Sequence, residues 1–176
     1  MQPKQREQIL RGRIQLFTWL FIVGLVLSGL SAIPLQTELD MFARWLQADN
    51  VSPDETASAF TKWVLMVRNG LHDTYTKYPF MAYGTDWLGF AHFLFAVAFV
   101  GAVRHPVRNA WLYQFGMIAC VLVLPWALLM GELRGIPLFW RLIDCSFGIV
   151  GFIPCWLCQK WTAELQQLVR AAAANP

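Results

Sequence analysis

The amino-acid sequence predicts an all-α integral membrane protein in which four transmembrane helices form an antiparallel bundle. Of the 176 residues, 57% are hydrophobic and only 14% are charged, whereas a soluble domain carries roughly 25% charged residues. Nine Trp and thirteen Phe residues point the same way, because aromatic side chains anchor at the bilayer interface. The length predicts one membrane domain that covers residues 1–176.

Four apolar runs have about the 20-residue length that crosses a bilayer as a helix. The first covers about 14–33 and ends at Pro34. A signal-peptide core is usually only about 7–15 residues long, so we interpret this run as an uncleaved span. Gly24, Ser28 and Ala32 form a stripe of small residues along it, which predicts close helix packing. The other three spans are predicted at about 86–103, 110–130 and 136–157.

The segment 35–85 is too polar to cross a membrane and predicts an amphipathic helix on the membrane surface or over the bundle mouth. Its start signal is Ser52 as the cap, Pro53 at the first helical position and Glu55 at the third. After this start signal, apolar residues recur at helical spacing: Phe60, Trp63, Val64, Val67 and Leu71. At the end of the segment, Thr85 is predicted to cap the second span.

The basic residues predict the orientation of the chain. By the positive-inside rule, the side that collects Lys and Arg is the cytoplasm. Both termini are therefore expected in the cytoplasm, and segment 35–85 on the outer face, which is the periplasm if the membrane is a bacterial inner membrane. Eight basic residues fall on one side of a four-span chain: Lys4, Arg6, Arg11, Arg13, Arg104, Arg108, Lys160 and Arg170.

Polar residues cluster in the outer half of the predicted bundle. A charge within a span is costly in lipid, so it is expected to face protein or water and to have a partner. Arg141 and Asp144 lie three residues apart on one face of the fourth span. We predict a periplasm-facing pocket formed by residues from three spans and their connections: Tyr83, Asp86, His92, Glu132, Arg134, Arg141 and Asp144.

Two chemistries fit this pocket. His92 with Asp86 or Asp144 would form an acid–base pair, because an imidazole changes its charge near neutral pH. Arg141 or Arg134 would hold an anionic head group or stabilise developing negative charge, and Tyr83 and Glu132 join them as ligand-binding residues. A divalent metal on His92 and the carboxylates is weakly supported, because no HExxH-type spacing is present.

A structural interpretation competes with each of these roles. Arg141 and Asp144 would then form an ion pair that fixes helix register, and Asp86 would only favour a helix N-terminus. Glu132 and Arg134 would be a solvated turn, and His92 an interhelical hydrogen-bonding residue.

The cysteines carry the remaining motif, Cys155-Trp-Leu-Cys158. Four spans with a CxxC resemble the membrane oxidoreductases that pass electrons from thiols to quinone. Those enzymes place reactive cysteine pairs on the outer face, whereas this pair is predicted at the inner end of the fourth span. We therefore interpret it as packing.

Three functions remain open. The preferred hypothesis is a non-catalytic accessory protein whose outer pocket binds a lipid, a small polar ligand or a membrane protein partner. The alternative is a membrane-embedded enzyme on a lipid or quinone-like substrate. A proton or ion path has least support, because the inner halves of the spans offer almost no polar residue beyond Cys and Ser. No nucleic-acid motif, phosphate loop or nucleophile elbow is present, and no cofactor is indicated.

Overall fold

The chain is helical in the computed structural model, which describes residues 3–48, 50–56 and 58–174. Helix makes up 88% of the structure, and the described residues contain no strand. The predicted all-α class is therefore confirmed. Short 3-10 turns cover Pro53–Glu55 and Pro79–Ala82. The α-helices are, in chain order, α1 (Pro3–Ala32), α2 (Leu35–Trp45), α3 (Ala59–Lys77), α4 (Tyr83–Arg104), α5 (Ala110–Leu133) and α6 (Leu138–Ala174).

Four of these helices, α1, α4, α5 and α6, are long and apolar enough to cross a membrane. They contain the four predicted spans, apart from one or two residues at two span ends. Helices α1 and α6 also run on into the polar ends of the chain, where the Nε of Arg6 donates a hydrogen bond to Oε1 of Glu164 at 2.7 Å. The polar segment that follows the fourth predicted span is therefore a continuation of α6, paired with the first turn of α1.

The predicted start signal at Ser52 belongs to a different element from the one expected. Ser52 and Glu55 do form a capping box, but it closes only the 3-10 turn Pro53–Glu55, after which Thr56 is extended. Helix α3 begins later, at Ala59, where the Ser58 hydroxyl accepts a hydrogen bond from the backbone N–H of Thr61. The prediction that one helix runs on from Ser52 is therefore wrong.

The predicted cap at Thr85 is also wrong. Helix α4 begins at Tyr83, directly after the 3-10 turn that ends at Ala82. Thr85 lies in the first turn of the helix, and its hydroxyl donates a hydrogen bond to the carbonyl oxygen of Ala82 at 2.8 Å. It still satisfies a backbone group at the helix start, but it does so as a donor to a carbonyl oxygen and not as an acceptor for the free N–H groups.

Helices α2 and α3 pack against each other as a hairpin. Ala43 and Leu65 are fully buried between them. The Nε of Arg68 donates a hydrogen bond to Oδ1 of Asp40 at 2.7 Å, and this bond holds the pKa of the Asp40 carboxyl below its usual value. The segment predicted as an amphipathic helix is thus two helices with a small core of their own.

The end of α1 crosses the start of α4 at two glycines. A Cβ atom on Gly89 would lie 2.7 Å from the carbonyl oxygen of Gly29, and a Cβ on Gly29 would lie 2.9 Å from that of Gly89. Both backbones therefore touch directly, which only glycine permits. Gly24, in the predicted stripe, has nothing within 4 Å of its would-be Cβ. Small residues do mediate helix packing on α1, but at Gly29 and not at Gly24.

Candidate functional site

The residues of the predicted pocket belong to two compact units of the chain. One unit comprises the chain up to Leu25 and from Phe95 onward, and the other comprises Val26–Leu94. Tyr83, Asp86 and His92 lie in the second unit. Glu132, Arg134, Arg141 and Asp144 lie in the first. The pocket that would join the two groups stays a prediction.

A tight turn brings the charges of the first unit together. Gly135 has a φ of +69°, a left-handed conformation that suits glycine. The backbone N–H of Ile136 donates to the carbonyl oxygen of Gly131 at 2.8 Å, so α5 ends in a glycine-capped turn. The chain then reverses into α6 at Leu138. This reversal sets the end of α5 beside the first turn of α6.

Arg141 is fixed by this reversal. Its side chain is only 14% exposed and forms an ion pair with Glu132, which is 70% exposed. Its Nη1 also donates a hydrogen bond to the carbonyl oxygen of Leu128 at 3.3 Å. A Cβ on Gly131 would come within 2.6 Å of the Arg141 Cγ, so the glycine makes room for the arginine stem. Arg141 therefore joins α6 to the last turns of α5.

The structural interpretation expected Arg141 to form an ion pair with Asp144, and the structure does not show this pair. The partner of Arg141 is Glu132, across the turn. Asp144 lies one turn further along α6, half-buried, with no hydrogen-bond or ion-pair partner among the described residues. Arg134 is exposed at the end of α5, and within the described part of the chain its guanidinium has no ion-pair partner. The free cation of this group is therefore Arg134.

The second unit presents His92 in a defined tautomer. Its Nδ1 lies 2.8 Å from the carbonyl oxygen of Leu88, one turn earlier on α4. A carbonyl oxygen only accepts, so Nδ1 carries the proton, and Nε2 is the acceptor of the neutral ring. His92 is half-buried, and its Cβ lies next to Gly29, where α1 crosses α4. The hydrogen bond of Nδ1 lies within α4, so it gives no support to the interpretation of His92 as an interhelical hydrogen-bonding residue, and it leaves Nε2 for a ligand.

Asp86 and Tyr83 are exposed in the first turns of α4. The Tyr83 ring packs edge to face on Trp87 at a centroid distance of 5.8 Å. Asp86 precedes His92 by six residues, which puts the two side chains about 120° apart around a regular helix. They cannot share one face of α4, so the predicted Asp86–His92 acid–base pair gains no support from the helix that carries both. The negative charge of Asp86, at the start of α4, interacts favourably with the helix dipole.

No group of three or more metal-ligating side chains comes together within the residues that the structure describes. One open cavity on the first unit is lined by apolar residues. It is an open groove of about 420 Å³ along α5, beside the helix-internal Pro125. Its lining residues all come from this one helix: Ala119, Leu122, Val123, Pro125, Trp126 and Leu129.

A buried polar network in the first unit was missed by sequence reasoning. The Thr18 hydroxyl donates to the carbonyl oxygen of Ile14 at 2.6 Å. Its oxygen therefore accepts the O–H of Tyr113, which lies 2.7 Å away. The Cys158 sulfur lies 3.7 Å from the same hydroxyl. These single polar residues, each within an apolar run, carry no sequence pattern, and their partners lie on other helices.

The four cysteines are free and buried, in agreement with the packing interpretation. A thiol without solvent access is a poor nucleophile. We expect N-ethylmaleimide to leave the native protein unmodified in mild detergent and to add four times after unfolding in sodium dodecyl sulfate. Intact-mass spectrometry measures this. Rapid modification of Cys155 or Cys158 in the native state would contradict the packing interpretation and favour a redox pair.

The chain matches no protein family model, no curated protein and no solved structure.

Proposed function

We propose that this chain is a non-catalytic accessory protein of a bacterial inner membrane that binds a phospholipid. In this proposal α1, α4, α5 and α6 cross the membrane as an antiparallel bundle, with both termini in the cytoplasm. The eight basic residues at the chain ends and in the α4–α5 turn support that orientation. The α2–α3 hairpin and the α5–α6 turn then lie on the periplasmic side.

The observation that carries the proposal is that two nearby arginines differ: one is paired within the helix hairpin, and the other is exposed. Arg141 is neutralised by Glu132 and held by the Leu128 carbonyl, so it is part of the helix hairpin and is not an anion clamp. Arg134 is exposed at the same end of α5. A guanidinium is well suited to a phosphate, which it binds through two parallel hydrogen bonds. The predicted ligand-binding role therefore passes to Arg134.

An apolar stripe on α5 ends at Leu133, directly before Arg134 in the chain. Leu122, Trp126, Leu129 and Leu133 follow one another at spacings of three and four residues, which places them on one face of the helix. All four are exposed, and the first three line the groove beside Pro125. A phospholipid whose acyl chain lies in this groove would carry its phosphate to the level of Arg134, at the end of α5.

We expect Arg134→Gln to reduce the phospholipid that co-purifies in mild detergent by roughly tenfold, because one charge-assisted phosphate contact contributes about 1.5–3 kcal/mol. The measurement is lipid extraction with mass spectrometry, with thermal stability recorded in parallel. Arg108→Gln is the matched control, because Arg108 is an exposed arginine just before the other end of α5. This control should keep both its lipid and its stability.

Arg141→Gln is the structural counterpart. It removes the ion pair with Glu132, so it should lower the thermal stability whatever happens to the lipid. Equal lipid content in Arg134→Gln and Arg108→Gln would overturn the assignment of Arg134. A loss of stability in Arg134→Gln, with unchanged lipid, would show that this cation only serves the helix end.

A further inference from the structure

Helix α2 exposes two large apolar side chains, of which Trp45 contacts the fold through one stacked ring, that of Phe42. Met41 is 59% exposed and Trp45 is 73% exposed. They lie four residues apart, and therefore on one face of the helix. Helix α2 is only 11 residues long and is not one of the four candidate membrane spans. An exposed Trp and Met on such a helix need an apolar surface outside the described fold.

The opposite face of α2 is already occupied. Leu39 and Ala43 are buried, and Ala43 lies in the hairpin core with Leu65 of α3. Each is two residues from Met41 or Trp45, which is about 200° around the helix. Helix α2 thus has one apolar face toward α3 and a second one pointing away from its own hairpin.

The short connection from α1 to α2 indicates what covers the second apolar face of α2, the face with Met41 and Trp45. Helix α2 begins at Leu35, three residues after the candidate span α1 ends at Ala32. Three residues reach at most about 10 Å, so the start of α2 is held close to the end of a membrane-crossing helix. Exposed apolar residues also continue through this connection: Leu27, Leu30 and Ile33 precede Met41 and Trp45.

The charges of α2 also bear on which lipid property matters. Its charged residues are Glu38, Asp40 and Arg44, a net charge of −1. Attraction to anionic lipid therefore does not hold this helix at a membrane, and burial of apolar area must. Trp is the side chain typical of the bilayer interface, since its ring is apolar and its N–H can stay hydrated.

We propose that α2 is an interfacial helix that lies in the plane of the membrane, with Met41 and Trp45 inserted at the boundary between head groups and acyl chains. The α2–α3 hairpin is then fixed to the lipid surface by α2, while the exposed polar residues Asn69 and Asp73 of α3 are turned to water. This inference uses no residue of the Arg134 lipid site.

The test places a bimane fluorophore on the full-length protein in phosphatidylcholine vesicles. Trp45→Cys and Met41→Cys supply two labelling sites on the exposed face of α2, and the native cysteines are buried. Asn69→Cys is the matched control, because Asn69 is exposed on α3 in the same hairpin. Each probe is quenched separately by nitroxide-labelled acyl chains and by aqueous iodide.

We expect the acyl-chain nitroxide to lower the fluorescence at positions 41 and 45 by roughly twofold, as for groups about 5–10 Å below the surface. Iodide should quench position 69 and spare the other two. The pattern should not change when anionic lipid is added. Iodide quenching at 41 and 45 would overturn the proposal. So would shielding from both quenchers, which would mean that protein covers this face.

Discussion

Replacing Tyr113 by Ala is expected to lower the free energy of unfolding by about 3–5 kcal/mol, the range for removing a buried aromatic ring. Tyr113 is 1% exposed and is the largest fully buried side chain of the described residues. Its ring packs edge to face with Phe99 at a centroid distance of 6.2 Å. Because Tyr113 is almost fully buried, the cavity left by Ala would be enclosed by protein. Unfolding by sodium dodecyl sulfate in mixed micelles measures the loss.

Tyr113→Phe is the control that separates ring packing from hydrogen bonding. It keeps the ring and removes only the O–H that donates to Thr18. The Thr18 hydroxyl keeps its own acceptor, the carbonyl oxygen of Ile14, so no buried donor is stranded. The expected cost is about 1 kcal/mol or less, as for other hydrogen bonds between membrane helices. Equal effects of Ala and Phe would contradict the assignment of Tyr113 to the core.

The spans were predictable because their signal is long and redundant. About 20 apolar residues in a row indicate a membrane helix whatever the identity of any one residue. Short signals failed for the opposite reason. Ser52 and Ser58 both offer a helix cap within seven residues, and the sequence favours Ser52 because Pro53 and Glu55 follow it. Because the backbone at Thr56 is extended, the turn that follows Ser52 does not continue as a helix. The long helix is capped by the second serine, Ser58.

The structural interpretation gave Arg141 the wrong partner because sequence spacing ignores side-chain direction. Arg141 and Asp144 are neighbours on the α6 surface, and spacing alone pairs them. A helical Cβ points toward the helix N-terminus, so the long Arg141 side chain extends back toward the α5–α6 turn. There it meets Glu132. That outcome also needs Gly131 and the left-handed Gly135, and neither glycine alone identifies a partner.

The site residues show the same limit on prediction. The sequence places Asp86 and His92 in one half of one helix, but their angular separation removes the pair from a shared face. Arg134 carries no motif, and it stands out only once Glu132 is seen to be occupied by Arg141. Which charges are free is a property of the folded chain, since it depends on every other pairing.

The glycine crossing supplies the other large effect. Gly89→Val is expected to disrupt the packing of α1 on α4, because the new Cβ would lie 2.7 Å from the carbonyl oxygen of Gly29 and 3.0 Å from the Ile33 side chain. The first of these contacts is with backbone, which cannot rotate away as a flexible side chain would. Overpacking usually costs about 1–3 kcal/mol, and we expect the upper end of that range because two helices must move apart.

Gly24→Ala is the matched control on α1, since nothing lies within 4 Å of its would-be Cβ. Ala favours the helix over Gly by about 0.5–1 kcal/mol, so this variant should be as stable as the wild type or slightly more stable. Both variants are compared by unfolding in mixed micelles. If Gly24→Ala destabilised the protein as much as Gly89→Val, helix packing would run along the 24–28–32 stripe. A contact between backbones at Gly29 and Gly89 requires Gly89→Val to destabilise the protein and Gly24→Ala to leave its stability unchanged or higher.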